Sequence, residues 1–86
     1  MEQPHQLSSP AERIAKAYGG DAFVAVALSR QGIRVAADAV RKWRASREKG
    51  GGGGLVPAKY HGALLKDAVE QRIALTVHDL IIEHVT

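Results

Sequence analysis

The segment DAFVAVALSRQGIRVAADAVRKW, residues 21–43, holds two helical patterns separated by a glycine. In its first half, apolar side chains recur at the spacing of one helix face, at Phe23, Val24, Ala27 and Leu28. Gly32 then stands where helices commonly end in a left-handed residue. In its second half, Val40 and Trp43 lie on the apolar side of a helix predicted over residues 33–49. The stretch therefore predicts two helices joined by a tight turn.

The residues before this stretch predict another helix with both ends marked. Its segment is SSPAERIAKAYGG, residues 8–20, and a Gly-Gly pair ends it. The signals at its start are Ser9 as the cap, Pro10 in the first helical position and Glu12 as the capping-box partner. Asp21, directly after the glycines, is expected to cap the second helix.

Two more helices are predicted after the five consecutive glycines at 50–54. The fourth begins at Pro57, again a proline suited to a first helical position. The fifth follows Thr76 as its cap, with Asp79 at the box position, and its apolar stripe is Val77, Leu80, Ile81, His84 and Val85. No strand pattern competes, so the sequence predicts an all-α fold, a compact bundle of about five helices.

The glycine run divides the 86 residues into segments of 49 and 32 residues. Neither segment would bury much apolar surface alone, because small chains bury a smaller fraction of it. We therefore expect a mobile loop between helices three and four, inside one domain over residues 11–86. Five flexible residues span about 12 Å on average, enough to turn a corner between packed helices. Residues 1–10 are expected to be a disordered N-terminal segment.

Composition excludes several classes of function. The chain has no cysteine, hence no disulfide framework or thiolate metal site. It has no apolar stretch near the ~20 residues of a membrane helix, and its N-terminus lacks the features of a secretory signal, so a cytoplasmic protein is expected. The four histidines, at positions 5, 61, 78 and 84, lack metal-ligand spacing, so no metal is expected. No Gly-Lys-Ser/Thr follows the glycines and no catalytic triad has supporting context, so neither a cofactor nor an enzyme is predicted.

Charge is concentrated in one part of the chain. Residues 30–49 carry seven basic and two acidic side chains, whereas the rest of the chain has five basic and seven acidic ones. A basic stripe on a nearly neutral body is the electrostatic footprint of nucleic-acid binding, although a solvated helix face gives the same pattern. Trp43, Tyr60 and Phe23 are expected to pack in the core, since stacking on single strands needs several exposed aromatics.

Helices two and three form a helix-turn-helix candidate. The segments GGDAFVAVALSRQG (19–32), AVRKW (39–43) and LVPAKY (55–60) resemble the small Cro-like, phage-repressor-type helix-turn-helix proteins, with a likeness that spans roughly residues 11–70. The connection between the two helices is about two residues longer than is usual there, which predicts a wider turn and a third helix that starts near Ala36 or Asp38. The glycine run is also longer than the family's usual loop.

The resemblance implies a bacterial or phage-encoded transcriptional regulator, a repressor, that binds double-stranded DNA with its third helix in the major groove. The candidates for base contacts are Ala37, Asp38, Arg41 and Lys42. Arginine can bond guanine bidentately and Asp38 could accept from a cytosine amine, or Asp38 could only cap the helix or pair with Arg41 or Lys42. The candidates for phosphate contacts are Arg34, Arg44, Arg47 and Lys49, with the glycine amides beside Lys49.

Such proteins usually bind as dimers, so a homodimer is expected, and RNA polymerase or another regulator is a further candidate partner. The interface is predicted on the fifth helix at Leu80, Ile81, Ile82 and Val85, unless this helix only closes the core. The alternative from another class is a small protein-interaction module, antitoxin-like or an anti-repressor factor, on the same helical scaffold.

Overall fold

The computed structural model describes residues 9–81. All of the regular secondary structure in that range is helical, with no β-strand. Its α-helices are α1 (Pro10–Tyr18), α2 (Asp21–Arg30), α3 (Ala37–Lys42), α4 (His61–Gln71) and α5 (Val77–Ile81). Two short 3-10 helices, Arg47–Lys49 and Ala58–Tyr60, flank the glycine run, and the second leads into α4. The predicted all-α fold with about five helices is confirmed.

The start of α1 matches the sequence pattern. The Ser9 hydroxyl accepts from the Glu12 amide at 3.1 Å, and the Glu12 carboxylate accepts from the Ser9 amide at 3.1 Å, which is the predicted capping box. Pro10 is the first residue of α1 and is buried. Ser9 and Pro10 therefore belong to the folded part, and residues 1–8 of the predicted segment lie outside the described range.

The prediction that Asp21 caps α2 is wrong. Gly20 is the N-cap residue and makes no side-chain hydrogen bond, while Asp21 is the first residue of the helix. The Asp21 carboxylate forms an ion pair with Arg44 instead. A negative charge in the first turn still interacts favourably with the helix dipole.

Helix α3 is shorter than predicted. It covers Ala37–Lys42 rather than residues 33–49, and its start agrees with the wider turn that the sequence suggested. Ala36 precedes it in an extended conformation. At its other end, the amides of Trp43, Arg44 and Ala45 donate to carbonyls three residues earlier, which tightens the backbone and stops the helix.

The core lies between the five α-helices. Its buried apolar residues include Ile14, Val24, Leu28, Val40, Trp43, Val56, Leu64 and Leu80. Trp43 is 7% exposed and its ring stacks on Tyr60 with centroids 5.5 Å apart, as expected for residues on two neighbouring helices. Phe23 was expected in the core but is 59% exposed, because α2 turns Val24, Ala27 and Leu28 inward and leaves Phe23 on its outer side.

The glycine run is hydrogen-bonded to the end of α3 rather than loose. The amides of Gly51, Gly52, Gly53 and Gly54 donate to the carbonyls of Ser46, Lys42, Ala45 and Trp43. The Gly54 carbonyl in turn accepts from the Ala11 amide at 2.9 Å, which ties the run to the start of α1. In place of the expected mobile loop, the structure has a compact turn that satisfies the carbonyls left open where α3 ends.

Two glycines of the run have a steric role. A Cβ at Gly51 would lie 2.4 Å from the Ala45 carbonyl oxygen. Gly54 has φ +90°, and a Cβ there would lie 2.6 Å from Cβ of Ser9. The turn therefore packs more closely than any residue with a side chain would allow.

Candidate nucleic-acid interface

The connection from α2 to α3 starts with a tight, glycine-centred turn. The Ile33 amide donates to the Leu28 carbonyl at 2.9 Å and the Gly32 amide donates to the Ser29 carbonyl at 2.9 Å, with Gly32 at φ +83°. This is the Schellman pattern that ends many helices. Ile33 and Val35 pack against the core, so the six residues between the helices hold α3 against the body of the protein.

The outer face of α3 is small and polar. Val40 is its buried residue, and the remaining five residues of the helix are exposed. The four predicted base-contact residues, Ala37, Asp38, Arg41 and Lys42, thus share the surface of one helix. A helix that is apolar behind and short or polar in front has the shape that a DNA groove admits.

Asp38 and Arg41 are paired on this surface. The Arg41 Nη2 group donates to Oδ1 of Asp38 at 3.1 Å, and the two side chains are 63% and 81% exposed. Of the possible roles for Asp38, pairing with Arg41 is therefore present. Asp38 does not cap α3, because Ala36 is the N-cap residue and no side chain makes a capping bond. An exposed pair of this kind contributes at most a few tenths of a kcal/mol to folding.

Three of the predicted phosphate contacts lie on the exposed surface. Arg34 precedes α3, and Arg47 and Lys49 follow it in the first 3-10 helix. The Arg47 side chain runs beside Gly53, where an added Cβ would lie 2.8 Å from its Nε atom. Positive charge therefore flanks α3 on both sides in the chain.

The fourth predicted phosphate contact, Arg44, has a partner within the protein. Its guanidinium binds the Asp21 carboxylate at the start of α2, and Asp21 is mostly shielded from solvent. The other carboxylate oxygen of Asp21 is buried and has no hydrogen-bond partner among residues 9–81. Arg44 thus links the chain just after α3 to the start of α2. Its charge is largely balanced in the free protein.

The glycine amides are not available to a phosphate group. The sequence left open whether these amides follow the DNA backbone beside Lys49, and the structure does not favour it, because the amides of residues 50–54 all donate to carbonyls of the chain itself. Sequence alone could not show this, since a run of glycines carries no mark of the hydrogen bonds that its backbone makes.

The predicted dimer residues divide between the core and the undescribed part of the chain. Leu80 is 1% exposed and packs in the core, so within the single chain it presents no surface to a second copy, and here α5 closes the core. Ile81 ends α5, while its side chain and the residues Ile82 and Val85 lie outside the described range.

Sequence reasoning missed a buried charged cluster that braces the end of α2. The Asp67 carboxylate, fully buried on α4, accepts from Arg30 through Nε and Nη2 at 2.8 Å each, from the Tyr18 hydroxyl at 2.9 Å and from the Gln31 side chain at 3.3 Å. These donors hold the pKa of Asp67 below its usual value, chiefly through the Arg30 bonds, against the opposing effect of burial. Burial, followed by the bond to Asp67, raises the pKa of Tyr18.

Other features of the described residues do not point to a different site. Across residues 9–81, no cluster of three or more histidine, aspartate or glutamate side chains is placed to hold a metal ion. In the same range, no helix has both the length and the apolar character to cross a membrane. A shallow surface pocket between α1 and the α4–α5 connection is lined by Arg13, Lys16, Ala17, Ala74, Leu75 and Asp79.

Comparison of the chain with protein-family models, with curated proteins and with solved structures finds no match in any of the three.

Proposed function

We propose that the protein is a sequence-specific double-stranded DNA-binding regulator of transcription, a repressor of the Cro-like type. In this proposal α2 and α3 form a helix-turn-helix and α3 enters the major groove. The observation that supports it is the two-sided character of α3, which buries Val40 while Asp38, Arg41 and Lys42 stand on the surface. Repression would follow from occupation of the binding site, and two protomers would read half-sites about 34 Å apart.

The charges around α3 support contact with the DNA backbone. Arg34, Arg47 and Lys49 are exposed on either side of the helix in the chain. Phosphate contacts of this kind fix the position of a protein on DNA without reading its sequence. Arg44 would contribute less, because a phosphate would have to compete with Asp21 for its guanidinium.

The connection between the helices is the feature least typical of the motif. Six residues separate α2 from α3, whereas helix-turn-helix turns commonly have three or four. The extra residues include Ile33 and Val35, which pack against the core and so keep α3 fixed. A fixed α3 is what groove recognition requires.

The alternative, a protein-interaction module, is favoured by a different observation. Phe23 and Val26 are exposed, one turn apart on the outer side of α2. Exposed aromatic and aliphatic side chains on a helix are typical anchors of protein interfaces. On this reading, partner binding would depend on Phe23 and would change little with salt.

The experiment is a titration of fluorescently labelled duplexes by anisotropy at several salt concentrations. Each phosphate contact releases counterions, so three contacts per protomer should give a slope of log affinity against log salt of roughly −3 for each protomer bound. Lys49→Ala should weaken binding to all duplexes alike and reduce the slope by about 1. Lys66→Ala on α4 is the matched control, because it removes the same charge from an exposed site outside residues 30–49.

A flat salt response, or no binding to any duplex at low salt, would rule out the DNA proposal. Equal losses for the Lys49 and Lys66 variants would show that general charge, rather than the surface around α3, carries the binding.

A further inference from the structure

The outer face of α3 offers few groups that could read a base. Of its six residues, Val40 is buried and two are alanines, which carry no side-chain donor or acceptor. Ala36, the cap residue, is also exposed and equally inert. Any hydrogen bond from a side chain of α3 to a base edge must therefore come from Asp38, Arg41 or Lys42.

Two of these three side chains hold each other in place. Asp38 and Arg41 are one turn apart, and a single guanidinium nitrogen, Nη2, makes the 3.1 Å bond to the carboxylate. The guanidinium has five N–H groups, so one such bond leaves donors for a second partner. With 63% of its side chain exposed, Arg41 can present those donors to a ligand in front of the helix.

We propose that Asp38 and Arg41 act as one unit that selects guanine in the major groove, an inference that rests on the DNA-binding function proposed above. Guanine presents two adjacent acceptors, O6 and N7, that match two guanidinium donors. Adenine presents one acceptor beside a donor, which mismatches them. The Asp38 carboxylate orients Arg41 beforehand, so less side-chain freedom is lost when the base is bound.

The pair should contribute to selectivity more than to overall affinity. Its two charges cancel, so it adds little to the salt-dependent attraction between protein and phosphates. The carboxylate also faces the same surface and repels phosphate oxygens, which discourages contacts that do not include a matching base. Asp38 is thus a positioning and selectivity residue, and Arg41 makes the base contact.

This arrangement makes an unusual prediction for Asp38→Ala. Without the carboxylate, Arg41 is free to turn toward phosphates, so affinity for random duplex should rise and the salt slope should steepen by about 1. At the same time the preference for guanine should fall. A residue that merely stabilised α3 would lower binding to all duplexes alike.

The experiment starts with selection of preferred sites from a randomised duplex library by the wild-type protein. Affinities are then measured for the selected duplex, for duplexes in which each conserved guanine·cytosine pair is changed to adenine·thymine, and for random duplex. We expect Arg41→Ala to reduce the preference at one guanine by roughly 5- to 150-fold. Glu48→Ala is the control for Asp38→Ala, because it removes the same charge from the exposed 3-10 helix that follows α3 in the chain. This control should strengthen binding to all duplexes alike.

The inference is overturned if the selected site holds no guanine whose preference depends on Arg41. It is also overturned if the Asp38 and Glu48 variants behave identically. If the wild-type protein shows no salt-sensitive binding to any duplex, the DNA-binding function fails and the guanine inference fails with it. Circular dichroism of each variant confirms folding, which these exposed substitutions should leave unchanged.

Discussion

At the scale of single residues, Asp67 is a side chain on which four of the described hydrogen bonds converge. It lies on α4, is fully buried, and accepts from Tyr18 on α1 and from Arg30 and Gln31 at the end of α2. A buried carboxylate is tolerated only where such donors replace water. Because Arg30 is the last residue of α2, the same bonds fix the point from which the chain turns toward α3.

Asp67→Asn should lower the free energy of unfolding by about 2 kcal/mol, since it removes a charged acceptor and turns an amide toward existing donors. Urea unfolding monitored by Trp43 fluorescence measures this. Glu70→Gln is the control, because the Glu70 carboxylate is exposed and accepts only from Gln31 among the described bonds. A loss as small as that of the control would show that the cluster does not stabilise the fold.

The same carboxylate predicts how stability depends on pH. The pKa of Asp67 is lowered in the folded state, so its stabilisation is present above its unfolded value near 3.9 and is lost as pH falls through the folded value. The pKa of Tyr18 is raised, so its contribution is present below about 10 and is lost as pH rises further. The free energy of unfolding, measured from pH 6 to pH 2, should therefore fall more for the wild type than for Asp67→Asn. Parallel curves would contradict the lowered pKa.

At the scale of elements, the glycine run and α3 depend on each other. The run supplies the amides that close the end of α3, and its last carbonyl reaches the start of α1. The capping box at Ser9, the helix-ending glycines and the start of α3 could be predicted from sequence because they depend on neighbouring residues. The end of α3 could not, because it depends on hydrogen bonds with residues up to eleven positions away. The prediction that Phe23 packs in the core is wrong for a related reason. Helical spacing does not show which edge of an apolar stripe the neighbouring helices cover.

Gly51→Ala should destabilise the protein by about 1–3 kcal/mol, because its Cβ would meet the Ala45 backbone at 2.4 Å and the main chain would have to move. Gly62→Ala is the matched control within α4, where an added Cβ meets no atom within 4 Å. The control should stabilise by about 0.5–1 kcal/mol, because alanine is the better helix former. Denaturant midpoints of the two variants measure the difference. If both variants matched the wild type, the run would be a tolerant loop and the hydrogen-bonded turn would be wrong.

At the scale of the whole molecule, the buried cluster and the basic residues that follow α2 lie in different parts of the fold. Asp67 and its donors lie where α1, α2 and α4 meet, whereas the exposed cations Arg34, Arg47 and Lys49 precede and follow α3 in the chain. The uneven charge was visible in the sequence, and so were the side chains proposed to face DNA. The pairings Asp38–Arg41 and Asp21–Arg44 were not settled by it, because one joins groups with several possible partners and the other joins residues of two different helices. The buried cluster thus anchors the end of α2, from which the chain leads to α3. The polar side chains of α3 stay on the surface.

The proposed function requires that α3 and the basic residues next to it in the chain contact double-stranded DNA. The most direct measurement is a nuclear magnetic resonance titration of the isotope-labelled protein with a short duplex at low salt, following each backbone amide. We expect the shift changes to concentrate at residues 34–49 and to decline as salt is raised, with α4 nearly unaffected. Changes centred on Phe23 and Val26, or no changes at any salt concentration, would contradict the claim.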